Sequence, residues 1–220
     1  MEDYHSNYPK DHNNKVEYSK IEQNSHNNIS KNISTQENSL IPETDNERMK
    51  IIGRISDLFL ELCDDNKNDI NSISKNTLIK PFLSKQIPSI SIKDYLIRLY
   101  KYSKINNSTI ILILIYIDKI CNLNKFKLSY YNIHKLILAS MLISIKYNED
   151  EYYSLNFYAK MGGVSINELS NLEYQFLVLI NFDLFVDEAL FIRYNDYISS
   201  SDSSEEEDED EDENKNETNG

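Results

Sequence analysis

Between about residues 47 and 198, large apolar side chains recur at steps of three and four, the spacing of one helix face. Ile52, Ile55, Phe59 and Leu62 predict a first amphipathic helix over roughly Glu47 to Cys63. A polar connector follows, punctuated by Pro81 and Pro88. Ser91 and Asp94 then make a cap-like S-x-x-D ahead of Ile92, Tyr95, Leu96, Leu99 and Tyr102, a second helix. Asn107-Ser108-Thr109 opens a third, reaching about Asn122. Its Ile-rich run also suits a buried strand, but its cap, its length and its neighbours favour a helix buried on every side. Ser129 to Tyr147 is a second helix of that kind.

A short helix is predicted over about Leu155 to Met161, ended by Gly162-Gly163. Next, Ser165 and Glu168 form a capping box, with Val164 and Leu169 as its hydrophobic staple. Leu169, Leu172, Phe176, Leu179 and Ile180 then share one face. Asp187 is placed to cap a last helix carrying Leu190, Phe191, Tyr194 and Ile198. No segment reads as a strand, and no internal repeat appears. Two helices apolar all round need neighbours on every side, which excludes a simple coiled coil and predicts an all-α bundle.

Composition divides the 220 residues into three parts. Residues 1–45 are rich in Asn, Ser, Lys and Glu and read as a disordered tail; 46–198 form the predicted domain. Residues 199–220, a serine cluster followed by an acid run, read as a second disordered tail. That tail holds eleven acids against one lysine, so of a net charge of −13 only −3 belongs to the rest. Ser203 and Ser204 each have an acid three residues on, Glu206 and Glu207. This arrangement suits acid-directed kinases and makes both serines phosphorylation candidates; a merely solubilising tail is the other reading.

Several function classes find no support. Two cysteines, Cys63 and Cys121, in apolar helical surroundings make no disulfide scaffold, and no Cys/His spacing resembles a zinc site. No basic patch with interleaved aromatics points to nucleic acid. The N-terminus has no secretory h-region, and the greasiest run, Ile110 to Ile117, is far short of the ~20 residues that span a bilayer. The expected location is therefore intracellular, in nucleus and/or cytoplasm. Glu149, Asp150 and Glu151 form an acidic loop on which no nucleophile or base converges, so no enzyme is indicated.

Lys146 closes an otherwise apolar helix, so its ammonium should emerge at the domain surface. It either answers the dipole of its own helix or reaches a partner. Glu173 lies beside an apolar stripe and is either a solvated helix residue or a partner contact. Asp118 interrupts the third helix, where a lone buried carboxylate is costly, and Arg98 on the preceding helix is its expected structural salt-bridge partner. His134, near the start of an apolar helix, reads as a satisfied structural histidine.

SISIKDYLIRLYKYS, IYIDK, NIHKLILASMLISIKYNEDEYYSLNFYAKMGGVS and ELSNLEYQFLVLINFDL, in that order, resemble a cyclin box. The likeness is closest to the single-box P-type cyclins and spans about Pro88 to Leu184. It implies a single cyclin box: a five-helix bundle around a buried central helix, with an extra helix on each side. It also implies a regulatory subunit that binds and activates a cyclin-dependent protein kinase and carries no cofactor. In the family, a lysine ending the third box helix and a glutamate on the fifth grip the kinase; the matching residues are Lys146 and Glu173. Tyr152 and Tyr153 are candidates to pave that surface; for Tyr158, core packing is an equal reading. The arginine of the large two-box cyclins stands earlier than Arg98, which puts their hydrophobic substrate-docking patch in doubt here. A cyclin-fold transcription adaptor and a non-activating scaffold are the alternatives.

Overall fold

A computed structural model describes residues 45–67, 77–103 and 105–200. The readings of residues 1–44 and of the acidic tail with Ser203 and Ser204 fall outside them. Among the described residues there are seven α-helices and no strand: α1 (Asp45–Asp65), α2 (Ile92–Ser103), α3 (Asn107–Asn124), α4 (Ile133–Asn148), α5 (Leu155–Gly162), α6 (Ile166–Leu179) and α7 (Glu188–Ser199).

Capping chemistry sets most of the helix starts. Asn106 accepts the Thr109 N–H at 2.8 Å and starts α3. Ser165 accepts the Glu168 N–H at 3.1 Å and starts α6, and Asp187 accepts the Leu190 N–H at 2.8 Å and starts α7. Ser91 accepts the Asp94 N–H at 3.0 Å and donates its own hydroxyl to the Asp94 carboxylate at 2.7 Å. The helix expected from Ser129 begins instead at Ile133. Asn132 turns the chain first: its side chain takes the Ser129 N–H at 2.9 Å and donates to the Lys127 carbonyl at 3.1 Å.

Helices α3 and α4 pack against each other at the centre. In α4 every residue from Leu136 to Ile145 is buried, and in α3 every residue from Thr109 to Ile117. Around them, α2, α6 and a 3-10 turn at Lys80–Phe82 cover α4, while α1, α6 and α7 cover α3. The connector before α2 thus supplies core residues: Phe82 packs edge-on against Phe176, with ring centroids 6.3 Å apart. Helix α5 packs on α2 and α6.

The two glycines that end α5 have different reasons to be there. A Cβ on Gly162 would collide with both methyl groups of buried Leu138, so the helix approaches α4 only without one. Gly163 has open space but sits at φ 74°, the left-handed cap conformation that glycine adopts freely. No described helix is long and apolar enough to cross a membrane.

Candidate functional site

The last turn of α4 marks the limit of burial. Ile145 is buried and Lys146, Tyr147 and Asn148 are exposed. The helix stops there because Glu149 turns extended, its N–H still closing on the Ile145 carbonyl at 2.9 Å. The Glu149 carboxylate accepts from the Thr109 hydroxyl at 2.5 Å and from the Asn106 N–H at 3.4 Å. This stitches the end of α4 to the start of α3, so the backbone that carries Lys146 is held at both sides.

Glu173 stands on α6 beside Leu172 and Phe176, both fully buried. Lys146 Nζ donates to Glu173 Oε1 at 2.5 Å, with the lysine side chain 37% and the glutamate 18% exposed. The two residues singled out from sequence are therefore brought together, on adjoining helices and at an accessible edge. A second ion pair, Lys135 to Glu168 at 2.9 Å, ties the same two helices. The Glu168 carboxylate of the capping box therefore serves the interhelical contact.

Tyr152 and Tyr153 are exposed beyond the acidic loop. Tyr153 lies against Phe157, with centroids 4.3 Å apart, and donates its backbone N–H to the Tyr158 hydroxyl at 3.1 Å. Tyr158 is a core residue, 1% exposed, whose ring supports Tyr153 edge-on from beneath. His134 is buried against Tyr95, and its Nε2 meets the Ile90 carbonyl at 3.0 Å. A carbonyl only accepts, so Nε2 carries the proton; burial holds this imidazole's pKa below the ordinary histidine value.

The expected bridge between Arg98 and Asp118 does not form. Arg98 turns toward α5 and reaches the Lys160 carbonyl at 3.5 Å. Asp118 faces α7 instead and accepts from the Tyr194 hydroxyl at 2.6 Å and the Asn122 amide at 3.0 Å. Spacing located the buried carboxylate but not the direction in which its helix presents it. Burial raises the Asp118 pKa above the ordinary carboxylate value, against the opposing pull of these two donors.

A further surface carries no signal that the periodic reading could catch. After α6 the chain turns through Asn181 and Phe182, both at φ 56°. The left-handed region is common for Asn and costly for a bulky residue such as Phe. The elbow is closed by Phe182 N–H to Leu177 O at 2.8 Å and Asp183 N–H to Ile180 O at 3.1 Å. It leaves Phe182 62% and Phe185 70% exposed. Phe185 and Leu184 border a cleft of about 400 Å³ whose other walls include Leu112, Tyr116, Tyr147 and Phe191. Tyr147 follows Lys146, so the last turn of α4 carries both the lysine of the ion pair and a wall of the cleft. The one available hint was the apolar run I-N-F-D-L-F, which continues past the end of the helix.

Among the described residues, no group of three or more His, Cys, Asp or Glu is placed to hold a metal ion.

The family model described as Cyclin matches residues 15–184. The chain is 37% identical over 114 residues to Cyclin-U2-1 of Arabidopsis thaliana, covering 51% of each protein. It is 34% identical over 139 residues to the PHO85 cyclin-like protein psl1 of Schizosaccharomyces pombe, covering 61% of this chain and 57% of that one. To PHO85 cyclin-7 of Saccharomyces cerevisiae it is 36% identical over 122 residues, covering 50% of this chain and 43% of the relative. The chain thus spans about half the length of these relatives. With a helical bundle of the expected kind and a family match over most of its length, this chain belongs to the cyclin family.

Proposed function

We propose that this chain is a regulatory subunit that binds a cyclin-dependent protein kinase and holds its C-helix in the active position. The observation that carries the reading is the Lys146–Glu173 pair, set at an accessible edge beside exposed Tyr147 and the apolar cleft. A cation and an anion held on adjoining helices offer a donor and acceptors to the backbone of a partner segment, in charge-assisted bonds roughly twice as strong as neutral ones. Tyr152 and Tyr153, exposed a few residues beyond Lys146, would add large contact area to that interface. Two of the relatives bear the name of PHO85 cyclins, which supports a kinase of that class as the partner. The kinase supplies the phosphoryl-transfer chemistry, and this chain favours its active state by binding that state more tightly.

The test separates folding from partnership. An accessible ion pair contributes ~0–1 kcal/mol to stability, so Lys146→Ala and Glu173→Ala should melt within a few degrees of wild type. Losing one charge of a desolvated interface costs about 2–5 kcal/mol of binding, so both variants should fail to bind or activate the kinase. The kinase is first captured with the tagged wild-type chain from its own cells and identified by mass spectrometry. Full activation by both folded variants would overturn this assignment. Binding by wild type without activation would leave the non-activating scaffold in its place.

A further inference from the structure

The elbow between α6 and α7 should be soft. It holds a phenylalanine in an unfavourable backbone conformation and presents two aromatic rings to solvent. The backbone bonds that close it run through residues 180 to 183, and Leu184 and Phe185 lie beyond them. Yet α3 reaches across to it repeatedly. The Tyr116 hydroxyl donates to the Leu184 carbonyl at 2.9 Å. Lys119 Nζ donates to the Asp183 carbonyl at 2.9 Å and to its carboxylate at 2.7 Å. Asn124 Nδ2 donates to the Leu179 carbonyl at 2.8 Å, just before the turn. Three side chains of one helix, at 116, 119 and 124, thus take two backbone carbonyls of the loop and that of the last residue of α6.

We propose that Tyr116 and Lys119 are positioning residues, which clamp the Asn181–Phe185 elbow so that Phe182, Phe185 and the cleft wall are presented in a single preset conformation to the kinase. The inference rests on the kinase-binding reading above. Its physical logic is preorganisation: a loop ordered before association does not lose that freedom during it, so the complex lasts longer. Tyr116 suits the task because its ring is fully buried in the central helix while its hydroxyl emerges at the loop. Burial, with Tyr147 and Asp183 nearby, pushes the phenol's pKa up, so it remains a donor. Lys119 suits it because one ammonium serves both the carbonyl and the carboxylate of Asp183, fixing that residue's backbone and side chain together.

The test uses the full chain with Tyr116→Phe, Lys119→Met and Lys119→Arg. Lys119 is partly exposed, so its variants keep the core intact even if Tyr116→Phe folds poorly. Hydrogen exchange is read at the amides of Phe182 and Asp183, both bonded inside the elbow, and at those of the core helix α4. Binding is read as association and dissociation rates with the kinase captured by the wild-type chain. Removing a clamp bond should speed elbow exchange about tenfold and leave α4 unchanged. Kinase dissociation should quicken by a similar factor, with association nearly constant. Lys119→Arg should restore both. Unchanged elbow exchange in Tyr116→Phe and Lys119→Met would overturn the clamp. Faster exchange with unaltered kinase dissociation would overturn its positioning role. A wild-type chain that captures no kinase refutes the functional assignment instead, and the exchange measurement still decides whether the clamp exists.

Discussion

Asp118 lies within an apolar helix, and the bonds it makes explain why it is tolerated there. Its carboxylate receives Tyr194 and Asn122 and so joins α3 to α7. Among the described residues no cation pairs with it, and its pKa is raised by burial. A carboxyl whose pKa is higher folded than unfolded adds stability below the unfolded value, and that stability is lost as pH rises through the folded value. At neutral pH the charge is therefore a liability. Asp118→Asn keeps an acceptor for the Tyr194 hydroxyl and removes the charge. It should raise the melting temperature near pH ~7, and the advantage should shrink as pH falls through the raised value and the wild-type carboxyl takes up its proton. Melts of both proteins across that range check the sign; a variant less stable than wild type at neutral pH would contradict it. Arg98, which reaches only the Lys160 carbonyl at 3.5 Å, should be replaceable by Ala at little cost.

At the scale of the element, α5 shows how close approach and chain reversal divide between adjacent glycines. Gly162 allows α5 to sit against Leu138, and Gly163 allows the chain to turn away. Gly162→Ala should cost roughly 1–3 kcal/mol by overpacking. Leu138→Ala alone leaves a cavity and should cost about 2–5 kcal/mol. Combined, each change relieves the other, so the double variant should lose clearly less than the two single losses together; denaturant melts of the four proteins measure it. Simple addition would show that the contact is not what excludes the methyl group. The helices themselves were legible because their caps and stripes are local: Ser165 and Asp187 act within three residues, and α3 was read as opening at Asn107-Ser108-Thr109, one residue past its cap, Asn106. Where side-chain geometry took over, legibility ended. The start of α4 moved because Asn132 builds a turn with its amide, and the elbow at Phe182 depends on distant donors from α3 that no periodicity encodes. Lys146 and Glu173 were singled out through family likeness; spacing alone favours a dipole contact for Lys146 and a solvated helix residue for Glu173.

Among the described residues, the proposed contact surface and the buried core occupy different regions. Two buried helices carry the fold, and amphipathic helices cover them on all sides. The residues proposed to meet a kinase lie where that cover ends: the last turn of α4, the outward edge of α6, and the elbow that follows it. Such a division lets the contact surface vary while the core stays as it is, because Lys146, Tyr147, Phe182 and Phe185 are all accessible. The proposed role also accounts for large aromatic rings exposed to water. An exposed ring contributes little to the isolated chain and much to a complex that buries it.

The contact between Lys146 and Glu173 has a kinetic consequence. Opposite charges 2.5 Å apart cancel when viewed from farther than a Debye length, about 8 Å at physiological salt. The kinase partner proposed above would therefore meet a small dipole at this point and no net charge. The pair should contribute almost nothing to the speed of encounter and should act only after water has left the interface, by prolonging the complex. Stopped-flow association and dissociation rates between about 0.05 and 0.5 M salt, for wild type and for the Lys146→Ala, Glu173→Ala double variant, test this. The two proteins should show the same salt dependence of association and differ in dissociation. A steeper salt dependence of association in the wild type would mean that the pair steers the kinase as well as holding it.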